Sequence, residues 1–370
     1  MDLRTAALTP PRTTADLPPT GGHLRARPED FQVEELPAYP PDNRPGHLLL
    51  TMQKRAFNSE DALRQIARHL ALPRVELGLA GLKDRDALTR QRISVPAPDP
   101  AATLERLAQF HHPAITLDLD TAAPHSHKLR RGHLRGNRFL IVIRQPTCPL
   151  PDALTRAQAI LTRLAADPQG GLPNLYGEQR FGRGGANLDN GLAALRGKSR
   201  GRRPKTADLI VSAGQSALFN LYLCTRAERG QLRTVLPGDV LQKRETGGLF
   251  VSEDPATDQR RLDAGELVIT GPMVGSKTRA PGPDTPAETL ERELLAAANI
   301  EPARLAKLGK RVPGTRRPLL IWPVLDGPPE LAPPPDDAPE LGPGVALRFC
   351  LPSGSYATVL LREIMGINMG

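Results

Sequence analysis

The run Gly81-Leu-Lys-Asp-Arg-Asp-Ala-Leu-Thr-Arg-Gln-Arg-Ile-Ser-Val95 gathers carboxylates, cations and amides on a short polar connection between two strand-like stretches. A carboxylate set among cations is what an enzyme uses as a general base or a nucleophile, so Asp84 is a candidate catalytic group. The same composition fits an ordinary charged hairpin, and the residues alone leave both readings open. If the chain is extended here, Lys83 and Arg85 project to the face opposite Asp84, so a cation beside its carboxylate must come from another segment.

A second concentration of chemistry is basic. Lys128, Arg130, Arg131, Arg135, Arg138 and Arg144 fall within seventeen positions, interrupted by Gly132 and Gly136. Such a cluster suits a phosphate backbone approached closely at the glycines. A solvated basic face explains it equally well. Lys198 to Lys205, with five basic residues in eight positions and no apolar anchor, is the weaker case.

Metal and nucleotide chemistry find no matching pattern. There is no H-E-x-x-H, and His125-x-His127 has no cysteine or second ligand pair nearby, so solvated or phosphate-facing histidines are expected and no metal. Five residues separate Gly191 from Gly197-Lys-Ser199 where a phosphate-binding loop needs four, and no G-x-S-x-G is present. Cys148, Cys224 and Cys350 are too few and too scattered for a disulfide framework and read as reduced thiols.

These groups sit in a chain of 370 residues, enough for two domains at roughly 100–200 residues each, or three if they are small. Lysine and arginine number 49 against 40 acidic residues, a net charge of +9 that suits a phosphate-bearing partner. No apolar run approaches the roughly 20 residues that cross a bilayer, and residues 1–20 lack the apolar core of an export signal, so a cytoplasmic location is expected.

Positioning elements follow from periodicity. Residues 1–20 read as a disordered lead-in. Phe31 to Leu36 and His47 to Lys54 alternate as strands, and Asn58 caps a helix carrying Leu63, Ile66, Ala67 and Leu70. Leu77 to Lys83 and Thr89 to Val95 are further strand-like runs, which puts Asp84 at a strand end. Arg138 to Arg144 is the clearest strand, followed by an amphipathic helix at 152–166. Glycines cluster beyond Gly171, then come helices near 206–228 and 286–299 with short strands between them, a proline-rich connector from Pro328 to Pro343, and a last strand and helix after Ala346. Strands at both chain ends around a distinct middle imply one domain inserted into another.

Taken in order, the blocks PEDFQVEEL (28–36), AGLKDRDALTRQRISV (80–95), HKLRRGHLRGNRFLIVIR (127–144), LPNLYGEQRFGRGGANL (172–188), GELVITGPMVGSK (265–277) and LRFCLPSGSYATVLLRE (347–363) resemble the TruD family of tRNA pseudouridine synthases. The resemblance runs from about residue 20 to the end. It implies an α+β pseudouridine synthase core, a mixed β-sheet with flanking helices over 21–170 and 318–370, interrupted by an inserted α/β TRUD domain at 171–317, with a basic cleft for RNA. It implies isomerisation of uridine to pseudouridine in tRNA at position 13, without cofactor or metal, by a protein expected to be a monomer. By motif it makes Asp84 of GLKD the catalytic aspartate. It forms the uridine site from Phe31 of EDF, Asn137 of GNRF and Tyr356 of SYAT, where relatives often carry phenylalanine, and offers Arg25 as the cation for Asp84. Lys128, Arg130, Arg131 and Arg135 would hold the RNA backbone. A catalytically silent RNA-binding or chaperone-like protein using the same cleft is the alternative, and the intact GLKD argues against it.

Overall fold

The computed structural model describes residues 1–165, 171–198, 207–309, 312–321, 327–334 and 338–366. Its strands are β1 (Phe31–Pro37), β2 (Gly46–Arg55), β3 (Gly78–Leu79), β4 (Leu88–Ala97), β5 (Ile115–His125), β6 (Leu134–Arg144), β7 (Leu172–Pro173), β8 (Val240–Lys243), β9 (Leu249–Val251), β10 (Leu267–Met273), β11 (Thr315–Pro318), β12 (Leu320–Ile321), β13 (Glu330–Ala332) and β14 (Gly344–Pro352). The chain divides into two compact units, one of Thr20–Gln158 and Pro323–Gly354, the other of Met1–Pro19, Ala159–Trp322 and Ser355–Gly370.

The first unit is built on an eight-stranded sheet ordered β13-β14-β6-β1-β4-β2-β5, with β3 paired to β4. It is mixed, because β1 runs parallel to β4 while β1 with β6, β6 with β14, and β2 with β4 and β5 are antiparallel. Alternation in β2 sends Leu48, Leu50 and Met52 to one face, and there the helix Ser59–His69 lays down Ala62, Leu63, Ile66 and Ala67 against Leu50, Met52, Ile93 and Val95. Asn58 starts that helix as its spacing predicts, its side chain accepting from the Glu60 and Asp61 amides. The turn before β1 is fixed by a buried ion pair, Asp30 with Arg144 at 2.6 Å. Arg144 therefore serves the fold and does not belong to an open basic surface, whereas Arg138 forms a half-exposed surface pair with Glu34 at 2.8 Å.

The sequence expectation missed β5 and the helix Pro100–Ala108, and made β3 too long. β5 is an edge strand whose residues are mostly half-exposed, so its apolar alternation is faint. Beyond Leu79 the chain leaves the sheet and residues 80–87 form an irregular loop.

In the second unit a four-stranded sheet ordered β11-β10-β8-β9 is accompanied by helices including Ala186–Leu195, Ala207–Glu228 and Pro286–Ala297. The first two of these cross at Gly191 and Gly214, where a Cβ on Gly191 would come within 2.4 Å of the Ile210 carbonyl oxygen. Gly191 thus answers to helix packing, in agreement with the failed phosphate-loop spacing. Among the described residues no helix is long and apolar enough to cross a membrane.

Residues 1–20 are not the disordered lead-in expected. Asp2 caps the helix Leu3–Leu8, whose Ala6 and Ala7 are buried. The buried Glu363 carboxylate accepts from the Thr13 amide at 3.0 Å, the Thr14 amide at 3.0 Å and the Thr14 hydroxyl at 2.8 Å. The partner lies 350 positions along the chain, outside the reach of local composition. Hydrogen bonds to a charged group contribute about 1.5–3 kcal/mol each, so Glu363→Ala should speed tryptic cleavage after Arg12 roughly tenfold or more. Equal cleavage rates in both proteins would contradict this anchoring.

Candidate active site

The loop carrying Asp84 has no ladder of its own, so its backbone polar groups are met by side chains and neighbouring loops. Gly132 N–H donates to the Ala80 carbonyl at 2.8 Å and Ala56 N–H to the Ala87 carbonyl at 3.2 Å. Gln91 Nε2 donates to the Gly81 carbonyl at 3.1 Å, and the Lys83 N–H donates to Ser59 Oγ at 3.2 Å. Ser59 in turn donates to Gln91 Oε1 at 2.9 Å, closing the network. Two lysines complete it. Lys83 Nζ meets Glu35 Oε2 at 2.6 Å, with both side chains at least 96% buried (exposures 4% and 1%). Lys54 Nζ donates to the Asp84 carbonyl oxygen at 2.5 Å.

Pinned in this way, the Asp84 side chain remains 44% exposed, with Arg25 Nη2 at 4.0 Å. Arg25 comes from a distant segment, while of the loop's own cations Arg85 pairs loosely with Asp86 and Lys83 with Glu35. Arg25 adopts φ 58°, a left-handed conformation uncommon for a side-chain-bearing residue. Its guanidinium lies 4.3 Å from the centre of the Phe31 ring, and Phe31 meets Phe139 edge to face at 6.5 Å.

Asn137 stands opposite Glu35 in the β1–β6 pairing, on the sheet face that also carries Phe31. Its Oδ1 is buried and has no hydrogen-bond partner among the described residues. An unmet buried acceptor costs about 1–3 kcal/mol. Asp84, Arg25, Phe31 and Asn137 all belong to the first compact unit.

Tyr356 belongs to the second unit, at the start of the helix Ala357–Met365, where its ring is 5.6 Å from that of Tyr176. Burial raises the Tyr356 hydroxyl above its ordinary pKa. Arg317 stacks on Tyr176 at 4.2 Å, and burial lowers its pKa.

Of the expected backbone-binding residues, Arg130, Arg131 and Arg135 are exposed, Arg131 pairing with Glu60 at 3.1 Å, while Lys128 Nζ donates to the Val75 carbonyl. Gly132 sits at φ 93° in the turn before β6, whereas Gly136 is buried in β6 opposite Leu36 and Pro352, so only the first is open to a ligand. Lys198 is the only described residue of the Lys198–Lys205 stretch; the rest lie outside the described residues. His125 is not solvated as expected. It is buried, stacks on Tyr39 at 5.4 Å and accepts from the Asp42 amide at 3.2 Å. Among the described residues no cluster of three or more His, Cys, Asp and Glu could hold a metal.

Sequence reasoning missed Lys54, Glu35, Ser59 and Gln91. Lys54 carried a usable signal, since a lysine continuing the Leu48, Leu50, Met52 alternation is a charge at an inward position.

The fold is that of the pseudouridine synthase class. A solved structure from Methanosarcina mazei that carries the TruD designation superposes with a TM-score of 0.76, covering 99% of this chain and 98% of that one at 23% identity. The family model for tRNA pseudouridine synthase D (TruD) matches residues 12–201 and 202–364, and the chain belongs to that family. It is 41% identical over 366 residues to a tRNA pseudouridine synthase D of Anaeromyxobacter sp. strain Fw109-5, covering 96% of this chain and 95% of that protein. To a protein of the same name from Thermus thermophilus it is 40% identical, covering 97% of this chain and 92% of that protein.

Breaking a buried ion pair by removing one partner costs about 3–5 kcal/mol, so Lys83→Met should lower the unfolding free energy by that amount in urea titrations. Adding Glu35→Gln, which keeps an acceptor for the Arg92 amide now bonded at 3.2 Å, should recover most of the loss. A single-variant cost below about 1 kcal/mol would contradict the buried clamp.

Proposed function

We propose that the protein isomerises uridine to pseudouridine in tRNA, at position 13, with Asp84 as the catalytic carboxylate. The observation that carries this reading is the GLKD aspartate itself, its backbone pinned by buried groups while its carboxylate faces outward beside Arg25. The names of the relatives support the substrate.

The reaction breaks the C1′–N1 bond, turns the uracil and joins C1′ to C5. The proton leaves C5 and N1 gains one, so composition and redox state are unchanged and no cofactor is needed. A carboxylate beside the ribose either attacks C1′ or takes the 2′ proton, and both routes require it fixed at contact distance before bond cleavage. The loop network supplies that fixation.

A uridine within folded RNA must leave its stack to reach such a group. Phe31 offers a ring for the extruded base, which takes the place now occupied by the Arg25 guanidinium. Asn137 Oδ1 accepts the uracil N3–H, which would satisfy that acceptor. The family motif adds Tyr356 as a uridine-site residue, and Lys128, Arg130, Arg131 and Arg135 hold the RNA backbone. In this reading residues 21–170 and 318–370 form the catalytic domain around the inserted 171–317, and the protein works as a cytoplasmic monomer.

Positioned general bases and nucleophiles contribute at least roughly 100-fold, so Asp84→Asn should reduce pseudouridine formation by that factor or more while tRNA binding stays within about twofold. Wild-type turnover by this variant would sink the assignment. A tRNA transcript with cytidine at position 13 should remain unmodified, and new pseudouridine elsewhere in it would overturn the positional claim.

The RNA-backbone assignment has its own readout. Each phosphate contact contributes roughly 0.7–0.9 to the slope of log affinity against log salt, so removing Arg130 and Arg131 together should lower its magnitude by roughly 1.4–1.8. An unchanged slope would return these residues to a solvated basic face.

A further inference from the structure

Lys54 is an uncompensated cation in the interior. It is 0% exposed, and the one hydrogen bond it makes among the described residues is to a neutral group, the Asp84 carbonyl oxygen at 2.5 Å. Burying an ammonium without a paired carboxylate is costly, and at this sheet position a methionine like Met52 would pack with no such cost. Across the sheet Lys54 faces Thr89, whose hydroxyl is buried and has no hydrogen-bond partner among the described residues, and on its other side Ile115. The neighbouring strands therefore offer it no charge. The charges acting on Lys54 come from the loop: Asp84 and Asp86 favour the ammonium, and Lys83 opposes it. Arg25 is the further cation at the Asp84 carboxylate.

We propose that Lys54 is a positioning residue for the reaction, holding the Asp84 backbone by its hydrogen bond and placing a fixed positive charge behind the carboxylate. This rests on the reading of Asp84 as the catalytic group. The arrangement divides two tasks between two cations. Arg25 stands at the open side of the carboxylate, where a substrate can displace it, and Lys54 stands at the closed side, where nothing can.

The charge behind Asp84 is conditional on pH. Burial is the largest influence on Lys54 and pushes its pKa down to about 8. Below that value the ammonium is present, and above it the neutral amine keeps a weaker hydrogen bond and loses the field. An arginine in its place stays charged across the same range.

The test is a single-turnover pseudouridine assay on a tRNA transcript from pH 6.5 to 9.5, with wild type, Lys54→Arg, Lys54→Met and Asp84→Asn, accompanied by thermal melts and tRNA binding. The wild-type rate constant should break downward near pH 8. Lys54→Arg should move that break up by about one unit or more, a comparison that removes any contribution from ionisation of the uridine itself. Lys54→Met should bind tRNA within about twofold, react roughly 10–100-fold more slowly at pH 7.5, and lack the break near pH 8. A folded Lys54→Met with wild-type rate and profile, or a Lys54→Arg break at the wild-type pH, would overturn the proposal. If Lys54→Met does not fold, the Lys54→Arg profile decides alone. Inactive Asp84→Asn beside fully active Lys54→Met would reject Lys54 only, whereas active Asp84→Asn would reject the reading of Asp84 on which it rests.

Discussion

Residues 80–87 lie between two strands without joining the sheet, and every buried polar group of that loop must find a partner elsewhere. This constraint organises the first compact unit. The hydroxyl of Ser59, at the start of the helix Ser59–His69, accepts from the Lys83 amide, the amide side chain of Gln91 reaches the Gly81 carbonyl, and two lysines are taken into the interior to hold Asp84 and Glu35. An exposed loop would have satisfied the same groups with water at no cost. Holding them with protein instead leaves the Asp84 carboxylate facing outward from a fixed backbone, which suits a reaction limited by the placement of a single group.

The same economy governs the basic residues. A net charge of +9 suggests a large RNA-facing surface, yet several arginines are used internally. Arg144 pairs with Asp30 in the turn before Phe31, Arg226 with Asp239 at 2.6 Å with both side chains fully buried, and Arg316 with Glu291 at 2.5 Å. Such pairs are poor sources of stability compared with apolar packing, and their geometry fixes where chain segments meet. The exposed cations near the candidate site, among them Arg85, Arg130, Arg131 and Arg135, are a smaller set than the composition implies.

Much of the fold was legible because its signals are local. The alternation of β2 and β6, the Asn58 cap and the amphipathic helix Leu150–Ala165 each declare themselves within a dozen residues. Asp84 was legible as a carboxylate in a charged turn, but the need for a remote cation was inferred from an extended chain that residues 80–87 do not form, and Arg25 itself came only from the family resemblance. What escaped was non-local. The ordering of residues 1–19 depends on remote partners such as Glu363 and Asn220, and the Asp84 clamp joins Lys54, Ser59 and Gln91 from three elements. His125 looked solvated in a polar stretch and is buried against Tyr39. Lys54 was readable in part, as a charge at a core position, but its partner was not.

The central claim is that the Asp84 loop is fixed before any RNA arrives, and single-residue amide hydrogen exchange in the free protein tests it most directly. The Lys83 amide, in irregular chain yet bonded to Ser59 Oγ, should exchange at least about 100-fold more slowly than an unstructured peptide, together with the Gly132 and Ala56 amides that hold the two ends of the loop. Exchange of Lys83 at the unstructured rate, with tRNA needed to slow it, would show a loop ordered by its substrate and contradict the account.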